Sequence, residues 1–269
     1  MVHQIKINKT VKELELERVK SIIGNSGNDH HVNVEKKLKI AGWDVTSSPY
    51  YNDPVTGIPR EADIIAYKDF DIHKFPFNEK VGMLRIRLFI ECKFLSEPIV
   101  LWLKDKKIDD ATTLAMDNPI LNGRENLYLH NNGKIHHYIE SNKVINKWAK
   151  QGHIDQLYEA MSGCLNSFIY YEQSKVEKHS PTISFPIIVV NDISRLFIRD
   201  ESNYGATSSK DSQQLEVIFS YKYDGLNYKQ KYFLIDIVDN NNLEIFLTKL
   251  GDNDIDILRN SLHWQLSHP

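Results

Sequence analysis

The chain alternates apolar and polar positions most cleanly over residues 84–94. Ile86, Leu88, Ile90 and Cys92 fall on one side, and Arg85, Arg87, Phe89, Glu91 and Lys93 on the other. Successive side chains of a strand point to opposite faces, so this run predicts a strand with one packed face. Residues 61–67 predict a second strand. Ala62, Ile64 and Ala66 would share one face; Glu61, Asp63, Ile65 and Tyr67 would share the other. Residues 69–82 read as an insertion between the two strands. Upstream, Val34, Leu38 and Ala41 recur at helical spacing after an Asn28-Asp29 N-cap, and Gly42 stops the helix before a strand beginning at Trp43.

The same reading extends to the flanks. Thr10 to Glu13 forms a capping box that opens a helix through about Ile23. Its apolar Val11, Leu14, Val19, Ile22 and Ile23 suit a peripheral or dimer-forming element. Asn122-Gly123 and Asn132-Gly133 signal turns, the second within a small hairpin over 126–137. Residues 141–173 carry a helical pattern through Ile145, Trp148, Ile154, Leu157, Met161, Leu165, Phe168 and Ile169, with Gly152 as a break. Residues 183–190 are a continuous apolar run that suits a strand buried on both faces. Strands over 215–221 and 229–238 flank Asp224-Gly225, a hairpin signal. Helices are expected over 243–250 and 254–264, and a polar, mobile loop over 202–212. No internal repeat is visible. These elements describe one α/β domain over residues 1–269, a mixed central sheet flanked by helices, with a core at about 28–172 and an extension of strands and helices at about 181–269.

Glu91 and Lys93 must point the same way if their run is a strand. By itself that spacing fits a structural ion pair, which is common. The company changes the picture. Asp63 lies in the preceding strand, and Glu35 lies on the helix before it. A hard divalent cation such as Mg²⁺ takes carboxylate oxygens plus water and substrate phosphate. A lysine beside it can stabilise charge on an attacked phosphate or help activate water. Glu35 sits at the edge of the apolar stripe, and a solvent-facing glutamate beside Lys36 and Lys37 is the competing reading. His30 and His31 are read as surface or capping residues.

The ordered set Glu35, Asp63 and Glu91-Cys92-Lys93 resembles the PD-(D/E)XK nuclease superfamily, the restriction-endonuclease-like fold. Residues 51–63, with a tight turn and Arg60 shortly before the acid, look like the hairpin of that family. Ala62 stands where the proline that names the motif would be. The resemblance covers about residues 28–172. It implies that Asp63 and Glu91 bind the metal with the main-chain carbonyl of Cys92, and that Lys93 orients or activates the attacking water. Glu35 would hold a metal-bound water or complete a second metal site. A polar residue of the helix after the strand, here Gln156 with Tyr158 behind it, would join the site; an exposed glutamine on an ordinary amphipathic helix is the alternative. The implied activity is Mg²⁺-dependent hydrolysis of a nucleic-acid phosphodiester, DNA first, with Mn²⁺ able to substitute. The implied setting is bacterial defence, as a homodimer or with a sensor subunit. An RNase on the same fold and a non-catalytic binding or assembly subunit are the rivals.

Composition adds limits. The chain has 269 residues, 41% hydrophobic and 26% charged, within the ordinary globular range. No run approaches the ~18 apolar residues of a membrane span, and residues 1–6 lack the apolar centre of a signal peptide. Two cysteines, Cys92 and Cys164, give no disulfide framework. A cytoplasmic protein without membrane contact is expected. The formal net charge of −3 excludes a generally basic nucleic-acid binder. Phosphate attraction would then rest on local patches: Lys36, Lys37 and Lys39; Lys104, Lys106 and Lys107; or Lys143, Lys147 and Lys150 on one presumed helix. A solvated face accounts for each equally well. No Walker loop, G-x-S-x-G or C-x-x-C is present, so ATPase, serine-hydrolase and zinc-finger chemistry lack support.

Overall fold

The computed structural model describes residues 11–74, 79–116, 137–150, 155–173, 182–200, 205–223 and 227–250. Two helices come first, α1 (Val11–Asn25) and α2 (Asn28–Ile40). Strands β1 (Asp44–Ser47), β2 (Tyr50–Asn52), β3 (Pro59–Glu61), β4 (Ile64–Lys74), β5 (Glu79–Lys93) and β6 (Ile99–Asp105) follow. Next are α3 (Ile108–Met116), α4 (His137–Glu140), β7 (Lys143–Lys150), α5 (Gln156–Gln173) and β8 (Thr182–Val190). The described chain closes with β9 (Leu196–Asp200), β10 (Thr207–Ser208), β11 (Gln213–Tyr223), β12 (Asn227–Asp239) and α6 (Leu243–Leu250).

Ten of these strands form one mixed sheet in the order β1-β4-β5-β8-β12-β11-β7-β6-β9-β10, and β2 pairs with β3 in a separate ribbon. β1, β4 and β5 are an antiparallel meander. β8 lies parallel to β5. Antiparallel neighbours need only a turn, whereas a parallel pair needs a crossover; α5 lies within that crossover and packs on β5 and β8. The site-bearing half of the sheet is thus assembled as α2, β1, β4, β5, α5 and β8.

Each face of the sheet carries its own core. On one, Val34 and Leu38 of α2 pack with Ile64 and Ala66 of β4, Ile86, Leu88 and Ile90 of β5, and Leu243 and Leu247 of α6. On the other, Leu157, Met161 and Leu165 of α5 pack with Ile188, Val190, Ile235 and Ile237. β8 is apolar throughout because it contributes to both. The alternation in β5 follows the expected faces: Phe89 turns to α5, with its ring 5.4 Å from that of Phe168.

Several expectations require correction. The sequence pattern predicts helix from residue 141, but 143–150 is a strand paired to β6 and β11. Its Val144 and Ile145 point to opposite cores, which a strand satisfies and a helix does not. Lys143, Lys147 and Lys150 therefore form no helix face. The described parts of the presumed insertion at 69–82 are continuations of β4 and β5, which stay paired out to Lys74 and Glu79. Asn28 is not the cap of α2: Gly27 takes that place at φ 75°, and the Asn28 N–H donates to Ser26 Oγ. Ala62 packs with Ile65 rather than with Ile64 and Ala66, because the chain bends between β3 and β4. Part of the polar loop is ordered, with Thr207–Ser208 paired to β9. Gly42 ends α2 as expected, at φ 79°, where a β-carbon is unfavourable. The sequence-predicted hairpin at 126–137 falls outside the described residues except for His137, and the helix expected at 254–264 falls wholly outside them.

Candidate active site

The site begins where β4 and β5 end side by side. Ile64 is the register partner of Ile90, so Asp63, one residue earlier, is set beside Glu91 and Cys92. The Cys92 N–H donates to Asp63 Oδ2 at 2.8 Å. The Glu91 carboxyl lies close enough to the Asp63 carboxylate to feel its charge. Lys93 Nζ stands 4.0 Å from Glu91 Oε2. Asp63, Glu91, Cys92 and Lys93 are therefore brought together at one sheet end.

Burial divides their electrostatics. The Glu91 side chain is only 8% exposed and that of Lys93 25%. Burial first, and the neighbouring Asp63 carboxylate second, push the Glu91 carboxyl well above the usual carboxylate range. Lys93 opposes this without overcoming it. The Glu91 carboxylate also has no room behind it. A β-carbon built on Gly163 of α5 would come within 2.8 Å of Glu91 Oε1 and 2.9 Å of its Cδ. Cys164, beside it, donates to the Phe89 carbonyl at 3.2 Å and is fully buried.

A stability consequence follows for the metal-free protein. A raised folded-state pKa means that the folded chain holds the Glu91 proton more tightly than the unfolded chain does. The resulting stabilisation is complete below the ordinary glutamate value of 4.5 and is lost as pH rises through the elevated folded value. Glu91→Gln keeps the shape without the ionisation. In EDTA at neutral pH, this variant is expected to melt several degrees above the wild type, and the gain should shrink to nothing near pH 4. Equal melting temperatures across that range would contradict the raised pKa of Glu91.

The other sequence-predicted residues are placed differently. Glu35 is paired with Lys39 and hydrogen-bonded to Ser47, which hold its carboxyl below the usual range. Those partners, rather than Asp63 or Glu91, make its direct contacts. His31, one turn earlier on the same side of α2, meets the Asp63 turn: its Nε2 lies 3.0 Å from the Asp63 carbonyl. One helical turn is about 5.4 Å, so Glu35 is set back from Asp63 by roughly that much along α2. Gln156 is the first residue of α5. Gly163 is the α5 residue that touches Glu91, and seven residues of helix separate them by about 10 Å along the axis.

His30 and His31 were read as surface or capping residues, and both have structural work instead. His30 is buried, with Nε2 2.9 Å from the Val189 carbonyl, and burial lowers its pKa. The available signal was periodicity: His30, Val34 and Leu38 fall on one helical stripe. Gly163 and Tyr51 gave no signal, because their roles arise from packing between distant segments. Most of the presumed lysine patches are already engaged. Lys37 binds the Asn240 carbonyl, Lys104 pairs with Glu216, and Lys107 with Asp110. Lys106 is buried against Tyr138 and Gln214.

Among the described residues, no group of three or more His, Cys, Asp or Glu side chains is gathered for a metal. A site of two carboxylates completed by a main-chain carbonyl and waters would not need one. Among the same residues, no helix is long and apolar enough to cross a membrane. No family model, curated protein or solved structure matches the chain.

Proposed function

We propose that the chain is a divalent-metal-dependent nuclease of the restriction-endonuclease-like fold, hydrolysing phosphodiester bonds in DNA. The observation that carries this reading is the convergence of Asp63, Glu91 and Lys93 at one sheet end, with Asp63 held by the Cys92 N–H and Lys93 on the same face of β5 as Glu91. The order α2, β1, β4, β5, α5, β8 around that sheet end supports it, since this is the arrangement the sequence resemblance implies.

The donor set fits Mg²⁺. A buried Glu91 carboxyl beside the Asp63 carboxylate would be relieved by a divalent charge, and hard oxygen ligands suit that ion. Asp63 and Glu91 would hold it, with the Cys92 carbonyl. Such an ion supplies Lewis-acid polarisation of the phosphate and a more acidic bound water. The chain's own groups do the rest. Cys92 N–H fixes one Asp63 oxygen and so orients the carboxylate. Gly163 leaves Glu91 the space to lie against Asp63. Lys93, partly exposed, orients the attacking water and balances charge that develops on the phosphate. Glu35 would act through a water, given its own engagement with Lys39 and Ser47.

The test is a substrate panel: supercoiled plasmid, linear duplex, single-stranded DNA and RNA, each with Mg²⁺, Mn²⁺ or EDTA. Metal-dependent cleavage of the DNA substrates is the expected result. Cleavage of RNA alone would move the substrate to RNA, and cleavage of nothing would overturn the nuclease reading.

A further inference from the structure

The β2–β3 ribbon carries an arginine whose placement the catalytic residues do not explain. Asp53 at its tip is buried, yet its carboxylate is saturated. Oδ1 takes the N–H groups of Val55 and Thr56 at 2.8 and 2.9 Å. Oδ2 takes Arg60 Nε at 2.7 Å and Asn166 Nδ2 at 3.1 Å. Arg60 is thus held through Nε, while its side chain remains 53% exposed. Its two terminal amino groups have no partner among the described residues. Elsewhere in the same protein an arginine pairs with a carboxylate through two nitrogens: Arg85 binds Asp69 through Nε at 2.8 Å and Nη2 at 2.9 Å. Bidentate pairing is the stronger geometry. Arg60 leaves it unused and presents the outer edge of its guanidinium to solvent.

The ribbon that carries Arg60 also packs against the helix residue that touches Glu91. Arg60 is the cross-strand partner of Tyr51, and opposed residues of a ribbon project to the same face. The Tyr51 hydroxyl donates to the Gly163 carbonyl at 3.4 Å. Gly163 is the residue that lies against Glu91. Glu91 and Asp53 both raise the Tyr51 pKa, after burial, so the ribbon and the acid pair share one electrostatic neighbourhood. An anchored planar guanidinium with two free amino groups suits a phosphate.

We propose that Arg60, fixed through Nε by Asp53, grips a backbone phosphate of the nucleic-acid strand next to the bond being cut. This rests on the nuclease reading and adds the residue that positions its substrate. The contact is to phosphate, so it sets register on the strand without choosing sequence.

The experiment compares wild type, Arg60→Gln and Arg60→Lys. Glutamine keeps an N–H donor for Asp53 while removing the charge, which protects the ribbon. Lysine keeps the charge but not the fork. Lys210→Ala, exposed just after β10 at the far edge of the sheet, controls for loss of a surface charge. Fluorescence anisotropy in EDTA gives the affinity for a labelled DNA duplex, and for RNA of the same sequence, over a range of salt. Cleavage with Mg²⁺ gives kcat and KM. Arg60→Gln should raise KM by about tenfold with kcat within about threefold, and reduce the salt slope of binding by about one. Arg60→Lys should restore the slope but less than half of the lost affinity, and Lys210→Ala should match wild type. A wild type that binds and cuts while Arg60→Gln keeps its slope and KM would overturn the Arg60 assignment alone. A wild type that neither binds nor cuts would overturn the nuclease reading and this assignment with it.

Discussion

Asp63→Ala and Lys93→Ala are each expected to lower metal-dependent cleavage by about a thousandfold while leaving the fold intact. Removing one group aimed at developing charge typically costs about 10²–10³ in rate. Asp63 does more than one job: it lies beside Glu91 and accepts the Cys92 N–H. Its loss would remove a proposed metal ligand and the hydrogen bond that orients the strand end. The fold should tolerate this, because neither substitution touches the two apolar cores. Asp63→Ala even relieves Glu91 of a like charge. The check is cleavage of plasmid by each variant, with circular dichroism and melting measured on the same samples. Cleavage retained within tenfold in either folded variant would rule out its assigned role.

The second large effect is expected at a residue with no side chain. Gly163→Ala would drive a methyl group to within 2.8 Å of Glu91 Oε1, closer than real carbon–oxygen contacts permit. Glu91 has little space to swing into, because its side chain is buried. The helix or the carboxylate must move. Overpacking of this kind costs about 1–3 kcal/mol, and a 1 Å misplacement at a reacting centre costs about 10²-fold. Gly163→Ala is therefore expected to lose about a hundredfold in cleavage and to melt lower than wild type. The double variant Glu91→Ala/Gly163→Ala isolates the clash. With the carboxyl gone, adding the methyl should cost little stability, a non-additivity that contacting residues produce. Equal destabilisation by Gly163→Ala in both backgrounds would mean that the glycine serves some other contact.

Local rules made part of this legible in the sequence. The two-residue period of β5 placed Glu91 and Lys93 on one face and the Ile86, Leu88 and Ile90 stripe on the other, and the α2 stripe ended at Gly42. These features depend on neighbours in the chain. What escaped was set by long-range pairing. Residues 143–150 carry apolar side chains at positions that suit either period, and only pairing with β6 and β11 makes them a strand. The bend at Ala62 follows from the change between two sheets, which alternation cannot anticipate. Glu35 and Gln156 were selected because the resemblance calls for polar residues on those helices. Their position along each helix, relative to Asp63 and Gly163, depends on how α2 and α5 are docked. His31 and Gly163, the helix residues that touch the acid pair, lay outside any motif for the same reason.

The central claim is that the Asp63–Glu91 pair is a divalent-cation site, and titration of the protein with Mn²⁺, following free ion by electron paramagnetic resonance, tests it most directly. The expected result is binding by wild type that weakens at least tenfold in Asp63→Ala and in Glu91→Gln, with Glu35→Gln close to wild type. Undiminished Mn²⁺ binding in both Asp63→Ala and Glu91→Gln, or no binding by the wild type at millimolar Mn²⁺, would contradict it.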